Sequence, residues 1–230
     1  MKHPNIKPLD ILWQDGIASR AFAGIITGLW DILQLAGVAN QLPVVSRGMV
    51  PLPSFLDKKE VLKPRVDIEP FLEIARQQSK RSGFLHAAAL LNALRNTPDY
   101  KSQERYALLI VQEKIHWDNP DIYSEKAGCA FPGYNAVISL ASYGRWFNPQ
   151  DFGTFLLLTR MVTIHELGHV FRLGITQKSG ASHEEIESGH CKNNCVMSLN
   201  TGIEFRESIQ DNPLCPSCLE NFRAYFTATP

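Results

Sequence analysis

The stretch "TIHELGHVFRLG", Thr163 to Gly174, holds two histidines four residues apart with a glutamate directly after the first. On a helix, His165 and His169 stand one turn apart on one face, and Glu166 lies about 100 degrees round from His165. Two neutral imidazoles can then share one zinc ion while the carboxylate reaches a water on it. Such an ion lowers the pKa of the water, and Glu166 is the base that takes its proton and later hands it to a leaving amine. A catalytic zinc takes three protein ligands. This stretch supplies two.

The helix that carries the stretch has start signals in "NPQDF": Asn148 as N-cap, Pro149 at the first position and Asp151 in the first turn. It is expected to run to about Leu173, with Gly174 terminating it. Gly168 permits close approach of another element. Upstream, "LDILW" (Leu9 to Trp13) reads as a strand and Ser19 to Val38 as an amphipathic helix ending near Gly37. "QLPVVSRGMVPLPSFL" is proline-broken and holds at most one short strand. A helix is expected from about Pro70 to Leu94, with Gly83 a point where it can split, and Pro98 marks a stop beyond it. "RYALLIVQEKI" (Arg105 to Ile115) and "NAVISLASY" (Asn135 to Tyr143) read as strands. Alternating strands and helices imply an α/β layer fold.

The chain has 230 residues, 44% hydrophobic and 20% charged, which suits one sizeable core with a small appendage. We expect an α/β subdomain over residues 1–174 and a C-terminal subdomain over 175–230. Lysine plus arginine and aspartate plus glutamate each total 23, so the formal net charge is zero. That lacks the basic footprint of a nucleic-acid binder. The N-terminus, "MKHPNIKPLD", has no apolar core of a secretory signal. The apolar stretch from Ile17 to Ala39 carries Arg20, Asp31 and three glycines, so it reads as a packed helix rather than a membrane span. The chain is expected to be soluble and cytoplasmic.

In a reducing compartment the five cysteines are better metal ligands than disulfides. Cys191 and Cys195 form one short-spaced pair and Cys215 and Cys218 a CxxC pair. Together they suit a closed, tetrahedral structural zinc. Cys129 stands alone and reads as a small buried residue.

The order of these residues resembles the archaemetzincins, a family of zinc metallopeptidases of metzincin type. The match lies in His190-Cys191, then Cys195-Val196-Met197, seventeen residues, and Cys215-Pro-Ser-Cys218. "AVISL" before the helix and "MSLNTGIEFRESIQDNPLCPSCLENF" after it are also similar to family sequence. So, more loosely, are "ARQQ" and "DIY". The likeness covers about residues 60–226. It implies a metzincin-like domain: a mixed twisted sheet, two backing and active-site helices, and a small C-terminal subdomain stapled by zinc. It further implies a catalytic zinc on His165, His169 and His190 with Glu166 as base. A second zinc would sit on Cys191, Cys195, Cys215 and Cys218, and Met197 would form the floor called the Met-turn.

The chain departs from the family in one region. The family has a glycine three residues after the second histidine and the third histidine six after it. Here Arg172 and Ile175 hold those places, and the first cysteine pair is one residue tighter. An insertion between the second and third ligands is the simplest reading, with the helix running on to Gly174 and the chain returning at "SGHC". The rivals for third ligand are His183 in the loop and the acids Glu184 and Glu187. Glu187 falls near the spacing of gluzincin peptidases but leaves the His-Cys and CxxC pattern unexplained.

A metzincin-like site would take peptide along an edge strand supplied by "GCAFPGYN" (Gly128 to Asn135), where Pro132 removes one donor. With the segment 175–189 as a possible lid, that favours short or narrow peptides. Two other readings stand beside the peptidase. One is a catalytically weak zinc-binding relative that acts through interaction. The other is a domain whose cysteines form a zinc-ribbon-like recognition module.

Overall fold

The computed structural model describes residues 5–46, 66–117, 125–173, 186–187, 190–199 and 202–227. Its centre is a five-stranded sheet of β1 (Leu9–Trp13), β2 (Val44–Ser46), β4 (Tyr106–Val111), β7 (Gly128–Phe131) and β8 (Asn135–Ser139), in the order β2-β1-β4-β8-β7. The first four in that order run parallel, and β7 closes one edge antiparallel to β8. It is therefore the mixed sheet of the expected α/β class.

Successive residues of β1, β4 and β8 point to opposite faces, and both faces are covered. Leu9, Ile11, Trp13, Tyr106, Leu108, Ile110, Ala136 and Ile138 face one core. Leu12, Ala107, Leu109, Val111 and Val137 face the other. This is why those strands read as continuous apolar runs rather than alternating ones. The first core is shared with helices α1 (Ala23–Ala36) and α5 (Phe152–Val170). It also takes in α7 (Pro216–Thr227), whose Phe222 and Phe226 reach Phe171 at 5.7 and 5.2 Å between ring centres. The second core is covered by α2 (Glu69–Gln78) and α3 (Ala87–Arg95).

Several element boundaries differ from the sequence expectation. The helix expected over Pro70 to Leu94 is two helices separated by β3 (Phe84–His86), because Gly83 adopts φ +77°, which no helix interior accepts. Between β3 and β4 lies a short helix, α4 (Pro98–Lys101). The strand expected over Arg105 to Ile115 bends at Gln112 and Glu113 into β5 (Lys114–His116), which joins β3 and β6 (Glu125–Lys126) in a small second sheet. Glu113 is held at the bend by the Arg76 guanidinium, 2.6 Å away, and Gln112 N–H donates to Gln14 Oε1 at 2.8 Å. The strand expected to reach Tyr143 ends at Ser139 and gives way to a 3-10 turn over Ala141–Trp146.

The apolar stretch around Gly24 and Gly28 is a packed helix, as its pattern implies. Among the described residues no helix is long and apolar enough to cross a membrane. Its two charges are used internally: Asp31 pairs with Arg160 of α5 at 2.5 Å, and the Arg20 guanidinium lies over the Phe147 ring at 4.3 Å. Gly24 and Gly28 lie one turn apart where α1 crosses α5. A Cβ on Gly24 would stand 2.5 Å from the Leu156 carbonyl oxygen, and one on Gly28 would stand 2.4 Å from that of Arg160. Opposite them, Thr159 and Thr163 turn their hydroxyls back onto carbonyls one turn earlier, each at 2.7 Å. The two backbones meet at closer range than side chains would allow.

Gly24→Ala should therefore lower the unfolding free energy by about 1–3 kcal/mol. Gly153→Ala, on the same helix α5 but with nothing within 4 Å of the added carbon, should be neutral or stabilising by up to about 1 kcal/mol. Urea denaturation of the two variants checks the contrast.

Candidate metal centre

Helix α5 begins at Phe152, not at Pro149. Asn148 Oδ1 accepts from the N–H groups of Gln150 and Asp151 at 3.0 and 3.1 Å, so it caps a turn that leads into the helix. The far end differs more. The helix stops at Val170, not at Gly174, and Arg172 takes φ +62°. Leu173 N–H bonds back to Gly168 O at 2.8 Å and Arg172 N–H to His169 O at 2.9 Å. These two bonds make a Schellman ending with arginine at the left-handed position that glycine ordinarily fills. The chain thus turns at Arg172, and the expected run-on of the helix to Gly174 is corrected. The Arg172 guanidinium comes within 3.2 Å of where a Cβ on Gly133 would stand, and Gly133 N–H in turn bonds to Val170 O at 2.8 Å.

After the turn, the described chain resumes at β9 (Ile186–Glu187), which pairs antiparallel with β10 (His190–Cys191). His183, Glu184 and the side chain of Glu187 lie outside the described residues, as does most of the segment 175–189. His190 returns to α5: one ring nitrogen each from His165, His169 and His190 lie within 4.8 Å of one another. The Nε2 atoms of His165 and His169 are 3.1 Å apart. Two ligands on a tetrahedral ion with bonds of about 2.0 Å would stand about 3.3 Å apart.

The ring of His165 is oriented from behind. Its Nδ1–H donates to the Val196 carbonyl at 2.7 Å, which leaves the Nε2 lone pair facing the other histidines. Burial, and next the neighbouring His169, hold His165 well below the ordinary imidazole range. Burial followed by His190 brings His169 down to about 4. Both rings are therefore neutral donors at physiological pH, the form a metal ion needs.

Glu166 is 5% exposed, and burial pushes its carboxyl up to about 8 against the opposing pull of Arg206 and Lys126. It lies against the edge strand β7: a Cβ on Gly128 would stand 2.5 Å from Glu166 Cγ. The edge strand thus owes its approach to the carboxylate to having a glycine there. Met197 is fully buried, and a Cβ on Gly168 would stand 2.4 Å from its Sδ. Gly168 is what lets the Val196–Met197 segment press against the helix between its two histidines.

The four cysteines gather as the second cluster, their sulfurs within 4.8 Å of one another and all buried. Cys191 Sγ and Cys215 Sγ are 3.7 Å apart. Backbone N–H groups point at the cluster: Asn193 N–H donates to Cys191 Sγ at 3.4 Å and Cys215 N–H to Cys195 Sγ at 3.5 Å. Hydrogen bonds from the thiols of Cys195 and Cys218 pull Cys191 down, while that sharing and burial push the other two up. The cluster favours giving up a proton at one sulfur, as thiolate ligation requires. Cys129 is buried on β7 and belongs to neither cluster.

Two residues of the cleft carry no sequence signal. Tyr143, in the 3-10 turn, and Arg206, in α6 (Ile203–Ser208), both reach the wall beside Glu166. Nothing in "ASYGRW" or "GIEFRES" distinguishes them from surface residues until the helices are packed.

The mixed sheet, the histidine-bearing helix beneath its edge and the cysteine-rich C-terminal segment together make the archaemetzincin fold. The chain is similar to the crystal structure of archaemetzincin from Methanopyrus kandleri, with a TM-score of 0.59 and 23% identity over 96% of each chain. It is also similar to a zinc-dependent peptidase from Methanocorpusculum labreanum, at 14% identity and a TM-score of 0.49, over 93% of this chain and 99% of that one. No family model matches the chain, and no curated protein matches it.

Gly168→Ala should displace Met197 rather than the helix, with loss of about 1–3 kcal/mol of stability. A shifted Met197 methyl resonance in the carbon–proton NMR spectrum, with unchanged helix content by circular dichroism, is the expected result.

Proposed function

We propose that this chain is a zinc-dependent metallopeptidase of archaemetzincin type. The observation that carries the reading is the return of His190 to His165 and His169 across the twenty intervening residues that separate it from His169. Three imidazoles with converging nitrogens, one of them set by a backbone carbonyl, are a donor set suited to a catalytic zinc with one position left open. Zinc held there supplies a Lewis acid and a bound water acidic enough to ionise near neutral pH. Cys191, Cys195, Cys215 and Cys218 hold a second, structural zinc, which is a closed thiolate site.

The chain's own residues do the rest. Glu166 accepts the proton of the attacking water and returns it to the leaving amine. Met197 and Val196 fix the floor and the orientation of His165. Strand β7 is the edge of the sheet, and Gly128–Phe131 would add an extended peptide by backbone hydrogen bonds. Pro132, just past the strand, limits how far that ladder extends, which favours short peptides. The cytoplasm, where the four thiols stay reduced, is the compartment that suits such a site.

Purified wild type should carry two equivalents of zinc. His190→Ala should retain one, and two full equivalents in that variant would sink the assignment of the third ligand in favour of an acid such as Glu187. Glu166→Gln should keep both ions and lose peptide hydrolysis by about 10²–10⁴-fold. A wild type that holds two zincs yet cleaves nothing in a peptide library would point instead to a zinc-binding interaction protein.

A further inference from the structure

Arg206 stands out among the charged side chains of the cleft. It is 6% exposed, yet among the described residues its guanidinium hydrogen-bonds to the Val196 carbonyl, at 3.4 Å, and no carboxylate forms an ion pair with it. A guanidinium carries five N–H donors and is costly to remove from water unless an anion meets it. The other long-range partners are weak. Tyr143 and Glu166 raise its proton affinity, but burial outweighs them and draws it below its ordinary value.

Its place is specific. The pocket wall there is built by Leu158 and Val162 of α5, Tyr143 and Trp146 of the 3-10 turn, and Phe205 and Arg206 of α6. This is an apolar slot. Other cations line the same cleft, but Arg145 lies on the Trp146 ring at 3.7 Å and Lys114 pairs with Glu125, whereas Arg206 is the buried one. The same Val196 carbonyl accepts from His165 Nδ1 and from Arg206 Nη1, so the guanidinium stands one carbonyl away from a ring of the three-histidine group. Three acids share the cleft: Glu125 is paired with Lys114 at 2.9 Å, Glu204 faces solvent, and Glu166 feels the guanidinium only at a distance, with no ion pair between them.

Resting on the peptidase reading, we propose that Arg206 is a specificity-determining residue that binds a substrate carboxylate beside the scissile bond. The carboxylate is either an aspartate or glutamate side chain or the free C-terminus of a short peptide. Bound there, it displaces water from the slot and takes two N–H donors of the guanidinium in the bidentate way that arginine offers and lysine does not. The aromatic and aliphatic walls hold the stem of the residue that bears it.

The test pairs peptides that differ only in the charge. Acetylated, amidated peptides carry glutamate or glutamine at each position flanking the cleavage site, and a second pair ends in a free acid or an amide. Wild type should favour the acid by about ten- to a hundredfold in kcat/KM in one of the two comparisons, which also tells side chain from C-terminus. In Arg206→Met and Arg206→Gln the ratio should collapse toward one, and Arg206→Lys should recover part of it. The same pairs are titrated by calorimetry into zinc-loaded Glu166→Gln, with and without Arg206→Gln. Selective binding there without hydrolysis by wild type would sink the peptidase reading and leave the carboxylate site standing. Acid-to-neutral ratios below about two in wild type, in both hydrolysis and binding, would overturn the proposal, as would a ratio that survives Arg206→Gln.

Discussion

The gathering of four sulfurs from two short segments is the constraint on which the rest of the site depends. Cys191 and Cys195 come from one side of a loop, Cys215 and Cys218 from the other, and their sulfurs lie within 4.8 Å of one another. That closure ties residues 191–199 to residues 213–218, and parts of the three-histidine cluster and its surroundings hang from it. His190 precedes the first cysteine directly. Val196 and Met197 follow the second, and their backbone is tied in by Cys191 N–H to Met197 O at 3.0 Å and by Val196 N–H to Pro213 O at 2.7 Å. The cysteine cluster therefore positions His190, the carbonyl that orients His165, and Met197, all through a few residues of chain.

Helix α5 has to meet this unit at close range, and small residues let it do so on three sides. Gly24 and Gly28 allow α1 to press on it, Gly168 admits Met197, and Gly128 of β7 admits Glu166. The helix is apolar round most of its circumference because sheet, α1 and α6 cover it, which also explains why its sequence shows no clean amphipathic stripe. Burial on that scale shifts the chemistry. The same desolvation that keeps His165 and His169 neutral raises Glu166, so one physical cause shifts all three groups of the helix.

Much of this was legible in the residues. The histidine pair, the glutamate and the cysteine spacings are local patterns that stand out in the chain, whereas His190 was singled out only through the family resemblance, with Glu187, Glu184 and His183 left as rivals. The layer order was legible too, because β1, β4 and β8 are buried on both faces and read as unbroken apolar runs. The boundaries were less so. Gly83 was visible as a possible break, but that the chain on its far side pairs as β3 depends on β5, a partner thirty residues away. Helix α7 was not anticipated; its Phe222 and Phe226 have meaning only once Phe171 and α1 are in place. Tyr143 and Arg206 belong to the same class, since their burial is a property of the packed cleft.

The turn at Arg172 sets where the chain leaves α5 on its way to His190. From sequence, arginine in place of glycine argued that the helix runs on. The structure instead turns at the same position, with a non-glycine residue in the left-handed region, a conformation that costs on the order of 1 kcal/mol or more. That strain is offset locally by the two Schellman hydrogen bonds and by the approach of the guanidinium to Gly133. Lengthening the gap between the second and third histidines from five residues to twenty is two doublings, about 1.2 kcal/mol of loop-closure entropy. Both penalties are small against what a zinc ion on four thiolates would contribute, on the order of 10 kcal/mol. The length of chain between Leu173 and Ile186 is therefore a minor cost for bringing His190 back to α5, because Cys191 beside it is anchored in the cysteine cluster.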